Sequence, residues 1–378
     1  MTHHRFVLSA LSILLAAAVA SQIPAAEKPI KIGVQLPLSG ERAPVGRIIR
    51  QGVEMAVEAV NRDGGVNGVP LAIIYEDDRN TQQGAVDAAT KLIQDHRVVA
   101  IIGELFSPFV LASRERVEQA GVPFLTGATN PRITEGAKWI FRVGVSDALR
   151  ADLFARYAVE HRKLERLAIL HDRTGVHNAR AEAIINVLRV KYSIVPVIRG
   201  NWKPGDQDFT SQLEQVKANP VQAIIALGEG AEGGAFLRQV KALGIHAMVI
   251  ADRDFGTKTA LQAAGHDADG VVILADYVPA LHEPKRQAWA RAYQERYGAE
   301  ANVIAAQYHD AVLLLATAMK NGGTSREGIK AALERVKGFP GVMTDYTFDQ
   351  QHNGVHRLYV VTIKGGVPTL EQLLEEER

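Results

Sequence analysis

No cysteine occurs among the 378 residues. Disulfides, a thiol nucleophile and a lipid-bearing cysteine are therefore all excluded. Excess charge is also missing: 43 Lys and Arg stand against 42 Asp and Glu, a formal net charge of +1. The two signs are interspersed, so no basic tail or stripe points to nucleic acid as a partner. Beyond the first twenty or so residues no apolar run is long enough to cross a bilayer. There is no G-x-S-x-G elbow of the kind that carries a hydrolase serine. Fixed-period repeats, low-complexity segments and long Pro/Gly/Ser linkers are absent too. What remains is an ordinary globular composition, 47% hydrophobic and 22% charged, which argues against extended disorder. The length has room for two domains with cores of their own.

At the N-terminus His3, His4 and Arg5 precede an apolar run from Phe6 to Ala20. Small residues follow, Ala-Val-Ala at 18–20 and Pro-Ala-Ala at 24–26. This is the pattern of a secretory signal peptide over residues 1–26, with cleavage between Ala20 and Glu27. The expected location is the periplasm.

From residue 30 onward apolar strands alternate with amphipathic helices. Strands are predicted at 30–36, 71–75, 98–102, 166–171, 194–198, 223–227 and 247–251. Helices are predicted at 47–62, 81–94, up to 161, 179–191, 209–218 and 235–243. Continuous apolar strands between such helices mean parallel sheets covered on both faces, an α/β fold. The rhythm breaks after 275, with helices predicted at 284–297, 303–320 and 326–336. An antiparallel pair is then expected between 344–348 and 358–363. The stretch IIGELFSPFVLASRERVEQAGVPFLTGATNPRITE (101–135) carries two strands, each ending in a polar loop. Ser107 precedes Pro108 and Asn130 precedes Pro131, the pattern of a helix start. Free N–H groups at two successive helix starts predict an anion site at the carboxyl ends of a parallel sheet.

Those segments and others in order resemble a known family. IKIGVQLPLSG (30–40), GVEMAVEAVNRDGGVNGVPL (52–71), EDDRNTQQGAVDAATKLI (76–93), IIGELFSP (101–108), TGATNPRIT (126–134), GDQDFTSQLEQVK (205–217) and QYHDAVLLLATAM (307–319) are similar to the leucine/isoleucine/valine-type substrate-binding proteins of ABC transporters. The resemblance spans 29 to about 365. It implies the type I periplasmic binding protein fold, two Rossmann-like lobes joined by three hinge crossings near 145–148, 275–278 and 341–344. Lobe 1 would comprise 27–146 plus 277–341, and lobe 2 would comprise 147–276 plus 342–378. The implied partners are a small carboxylate ligand, an amino acid or an aromatic or other organic acid, and a transmembrane permease that receives it. A monomer is expected, with no cofactor, no metal and no catalysis.

The resemblance also assigns roles. Ser107 and Thr129 would hold the ligand carboxylate, with Gly127 and Ala128 supplying backbone atoms. Val45 stands where leucine binders place an aromatic wall. Val176 and His177 replace a Tyr-Gly pair, and Glu229 replaces a second-lobe tyrosine. The carboxylate that meets an ammonium falls at or beside Arg253, flanked by Asp252 and Asp254. Either Glu229 and Arg253 pair with each other or the ligand brings complementary charges. A ligand larger or more polar than leucine is implied. Asn80 and Phe106 occupy the positions of a disulfide often found in the first lobe, so local packing is expected to hold that loop.

Rival chemistries are weaker. Gly228-Glu229-Gly230-Ala231-Glu232-Gly233 is a literal dinucleotide fingerprint, with Asp252 ending the next strand. Glu229 and Glu232, however, place negative charge where a pyrophosphate would sit. His171, Asp172 and His177 are conceivable metal ligands without a supporting spacing rule. The same fold also serves ligand sensors that signal to a co-receptor, and fold alone does not decide between transport and sensing.

Overall fold

The computed structural model describes residues 28–278 and 284–377; the expected signal peptide lies outside them. In chain order the first half runs β1 Ile30–Leu36, α1 Ala43–Arg62, β2 Leu71–Asp77, α2 Gln82–Gln94, β3 Ala100–Gly103, α3 Ser107–Ala120, β4 Phe124–Thr126 and β5 Ile140–Arg142. Next come α4 Asp147–Arg156, β6 Leu167–Asp172, α5 Gly175–Tyr192, β7 Ile198–Trp202, α6 Thr210–Ala218, β8 Ala223–Leu227, α7 Gly230–Ala242, β9 Met248–Asp252, α8 Lys258–Ala264 and β10 Val272–Ala275. The rest is α9 Pro284–Tyr297, α10 Val303–Gly322, α11 Arg326–Leu333, β11 Phe339–Pro340, β12 Asp345–Tyr346, β13 Arg357–Lys364 and β14 Val367–Glu375.

The strands form two sheets. The first is parallel throughout, in the order β2-β1-β3-β4-β5. In the second, β7-β6-β8-β9-β10 repeats that order in parallel, and β13 and β14 extend it antiparallel. Strand order therefore reverses between β1 and β3 and again between β6 and β8, the place where an open α/β sheet leaves a crevice at its carboxyl edge. One apolar core joins the inner faces of both sheets through α4 and α10. Separate cores lie behind the second sheet and behind the first. After β10 the chain returns to the first sheet: Tyr293 of α9 donates to Gln51 of α1 at 2.6 Å, and Arg326 of α11 donates to the carbonyls of Val98 and Ala120.

Several predicted elements differ, with α1 and α5 each starting four residues early. β7 begins four residues later than expected, because Val195 and Val197 face solvent while Ile198 and Trp202 turn inward. Helix α7 starts at Gly230 rather than 235, absorbing most of the glycine fingerprint. The expected pairing of 344–348 with 358–363 does not occur. Asp310 of α10 takes the N–H groups of Val342 and Met343 and the Tyr346 hydroxyl, so this stretch stays bound to α10. β13 instead pairs with β10, and it turns back into β14 through Gly365 and Gly366, both at positive φ as a tight hairpin turn requires.

The disulfide positions are bridged without sulfur. The Arg42 guanidinium donates to Asn80 Oδ1 at 2.8 Å and lies 4.4 Å from the centre of the Phe106 ring. One side chain from the loop after β1 thus ties the loops after β2 and β3.

Candidate functional site

Every candidate residue follows the carboxyl end of a parallel strand. On the first sheet, Ser107 is the first residue of α3 and not its cap; Phe106 holds the cap position without a side-chain bond. Freed from capping, the Ser107 hydroxyl oxygen accepts the Asn130 N–H at 3.2 Å, which joins the two loops predicted to form the anion site. The second helix start is corrected: Pro131–Ile133 is a single 3-10 turn, capped by Asn130, too short to act as a helix dipole. Gly127 and Ala128 have their N–H groups occupied, by the Tyr308 hydroxyl at 3.1 Å and by Thr126 Oγ1 at 3.2 Å. A Cβ at Gly127 would overlap the Gln307 carboxamide, so a larger residue there requires that side chain to move. Among the described residues, Thr129 keeps an N–H with no protein partner, and its hydroxyl donates to Asp147 Oδ2 at 2.8 Å.

Two buried residues beneath these loops were not read as functional. Arg142 donates to the carbonyls of Ala128 and Asn130 on either side of Thr129, and to Asn353 Oδ1. Burial lowers its pKa to about 10, so it stays charged at neutral pH with no carboxylate in direct contact. Glu104 accepts the Phe106 N–H at 2.8 Å and shapes the turn into Ser107. Burial, reinforced by Asp78, pushes its carboxyl well above the usual range. A shift in that direction lessens the repulsion that the Glu104 carboxyl would exert on the nearby anion site.

The second sheet supplies a dense ionic network. His177, on the first turn of α5, is buried between Asp172 at 2.7 Å and Asp252 at 3.4 Å. Burial alone would lower the imidazolium, yet the bonds to these two carboxylates raise it to about 10. Arg180, one turn further along α5, reaches both Asp252 and Asp147 at 3.4 Å. A continuous chain therefore runs from Thr129 through Asp147, Arg180 and Asp252 to His177 and Asp172.

Arg253 does not pair with Glu229. Its guanidinium meets Asp276 at 2.9 Å, and Arg150 meets the same carboxylate at 2.6 Å. Asp254 lies 3.6 Å from Arg253 Nε. Glu229 is exposed and has no side-chain partner among the described residues. Partial burial and the Asp254 charge raise its pKa. Asp147, Arg150, Arg180 and Asp276 were missed in the sequence. The one signal for Arg180 was its i, i+3 spacing from His177 on an amphipathic helix.

Val45 packs half-buried against the central core, and Val176 is 49% exposed beside the buried His177. The fingerprint glycines serve packing: a Cβ at Gly228 would strike Trp202, at Gly230 Thr257, and at Gly233 Phe255. Glu232 is buried and accepts from the Trp202 indole at 2.7 Å, an acidic group where the rival dinucleotide reading would need a phosphate. Two triads, Asp172–His177–Glu229 and His177–Asp252–Asp254, bring donor atoms within 4.8 Å of one another. The imidazolium itself supplies positive charge at their shared centre. His171 belongs to neither triad and turns its Nδ1 to the Asp172 carbonyl. A cavity of about 280 Å³ is lined by Arg253 and Asp254 and by Asn302 and Val303 at the start of α10.

Residues 29–367 match the periplasmic binding protein family. The chain belongs to that family. It has the type I fold, and the family is one of substrate-binding proteins of branched-chain amino acid ABC transporters. A leucine-, isoleucine-, valine-, threonine- and alanine-binding protein of Pseudomonas aeruginosa is 28% identical over 347 residues, 91% of this chain and 92% of the relative. The solved structure of the branched-chain amino acid transporter substrate-binding protein LivJ of Streptococcus pneumoniae, in complex with isoleucine, is 26% identical with a TM-score of 0.74. It covers 92% of this chain and 99% of its own. A solute-binding protein of R. palustris in complex with benzoate shares the fold at 22% identity, with a TM-score of 0.74, covering 92% of this chain and 97% of its own.

Proposed function

We propose that this periplasmic binding protein is the exported substrate-binding component of an ABC importer, which takes an α-amino acid between two lobes and hands it unchanged to a membrane permease. The lobes are 27–146 with 277–341 and 147–276 with 342–378. The observation that carries this reading is the chain of contacts from Thr129 to Asp252, which sets the strand ends of one sheet against those of the other. The α-carboxylate is received on lobe 1 by the Ser107 hydroxyl and the free Thr129 N–H, with buried Arg142 beneath. The α-ammonium meets Asp252 and Asp254 on lobe 2. Closure expels water and strengthens both contacts. Relatives that hold leucine or isoleucine support an amino acid; one that holds benzoate supports the carboxylate as the shared element.

The test is calorimetric titration with a panel of amino acids and benzoate, on the native protein and on Ser107→Ala/Thr129→Ala. The double variant removes the Ser107 hydroxyl and the Thr129–Asp147 bond that positions the Thr129 N–H; a charge-assisted hydrogen bond contributes about 1.5–3 kcal/mol, so any carboxylate that binds should lose at least about that much. Unchanged affinity in that variant would place the site elsewhere.

A further inference from the structure

The lobe 2 wall carries more negative charge than its own cations can neutralise. Arg150 and Arg253 are committed to Asp276, Arg180 to Asp147 and Asp252, and His177 to Asp172 and Asp252. Four cations thus face six carboxylates once Asp254 and Glu229 are included. The surplus is localised. Asp252 is completely buried, yet its Oδ1 has no hydrogen-bond partner. Asp254 has a single loose contact with Arg253. Glu229 has none, although its carboxylate lies within 4.8 Å of His177 and Asp172. A cluster of acids alone would mean little. A fully buried acceptor left open beside it marks the place of a donor that arrives from outside.

Resting on the reading of this site as an amino-acid site, we infer that the protein selects a basic α-amino acid. The α-ammonium satisfies Asp252 Oδ1 and Asp254, and the side-chain cation meets Glu229, which stands where the family resemblance expects a tyrosine. A second carboxylate on the ligand would meet Glu229 and Asp254 while Arg150, Arg180, Arg253 and His177 are already committed to other carboxylates, and is disfavoured. An aliphatic side chain leaves Glu229 dehydrated once the lobes close, with only the shared His177 nearby, which is costly. Both together favour a ligand of net charge +1.

Calorimetric titration with L-arginine, L-lysine, L-ornithine, L-leucine and L-glutamate tests this on the native protein and on Glu229→Gln. Glu229 is exposed and partnerless, so the variant keeps its fold. At least one basic amino acid should bind about tenfold or more tightly than leucine, and Glu229→Gln should shrink that preference by about tenfold, the scale of one charge-assisted contact. Leucine binding more tightly than all three basic amino acids, or a preference indifferent to Glu229→Gln, overturns the inference and leaves the amino-acid reading intact. Binding of benzoate with no amino acid bound overturns both.

Discussion

His177 keeps a charge where burial works against it, and the two flanking carboxylates win. With a folded pKa near 10 against 6.5 for a free imidazole, the folded protein holds a proton that the unfolded chain gives up in between. The stabilisation is complete below pH 6.5 and is lost as pH rises toward 10. Melting temperatures measured from pH 6 to 9.5 should fall with pH, and His177→Gln should flatten that slope. Equal slopes in the two proteins would mean that the imidazole is neutral and the network is held some other way. At Arg142 and Glu104 burial wins instead, lowering the guanidinium under the anion loop and raising the carboxyl beside it. None of the three environments is visible in the residue names. His177 was singled out through the family resemblance, but its partner Asp252 comes from the end of a distant strand, β9.

At the scale of elements, Arg42 joins the loops after β1, β2 and β3, contacting the two positions, Asn80 and Phe106, where the resemblance implies a disulfide. Replacing it with Ala removes a cation–π contact and a hydrogen bond, together worth about 1–2 kcal/mol at this half-buried position. Arg42→Ala should lower the melting temperature and speed proteolysis in the loops around Asn80 and Phe106; unchanged stability and cleavage would make the contact incidental. Elements legible in the sequence share a property. β1, β8 and α9 have the limits expected of them, because Pro, Gly or polar turns bracket a single unbroken pattern. β7 was displaced because exposed Val195 and Val197 mimic a strand face. β14 was missed because an edge strand with polar residues on one side carries no apolar run, and the expected partner of β13 was misjudged with it. Pairing depended on Asp310, a residue in a helix, which no local pattern reveals.

On the scale of the whole molecule, two sheets of the same strand order present their carboxyl edges to a common space, and one core runs through both. The loops that approach each other were legible, since each follows an apolar strand. The charge balance across the space was not, because it depends on which acid each arginine meets. Asp147 and Asp276, the residues that decide it, sit beside the crossings between the sheets. Small-angle scattering measures the consequence of this architecture most directly. With a panel amino acid that binds by calorimetry, saturation should shrink the radius of gyration as the lobes swing together, and the same amino acid should be recovered unaltered. A profile identical with and without that bound amino acid would show that the two halves do not close on it.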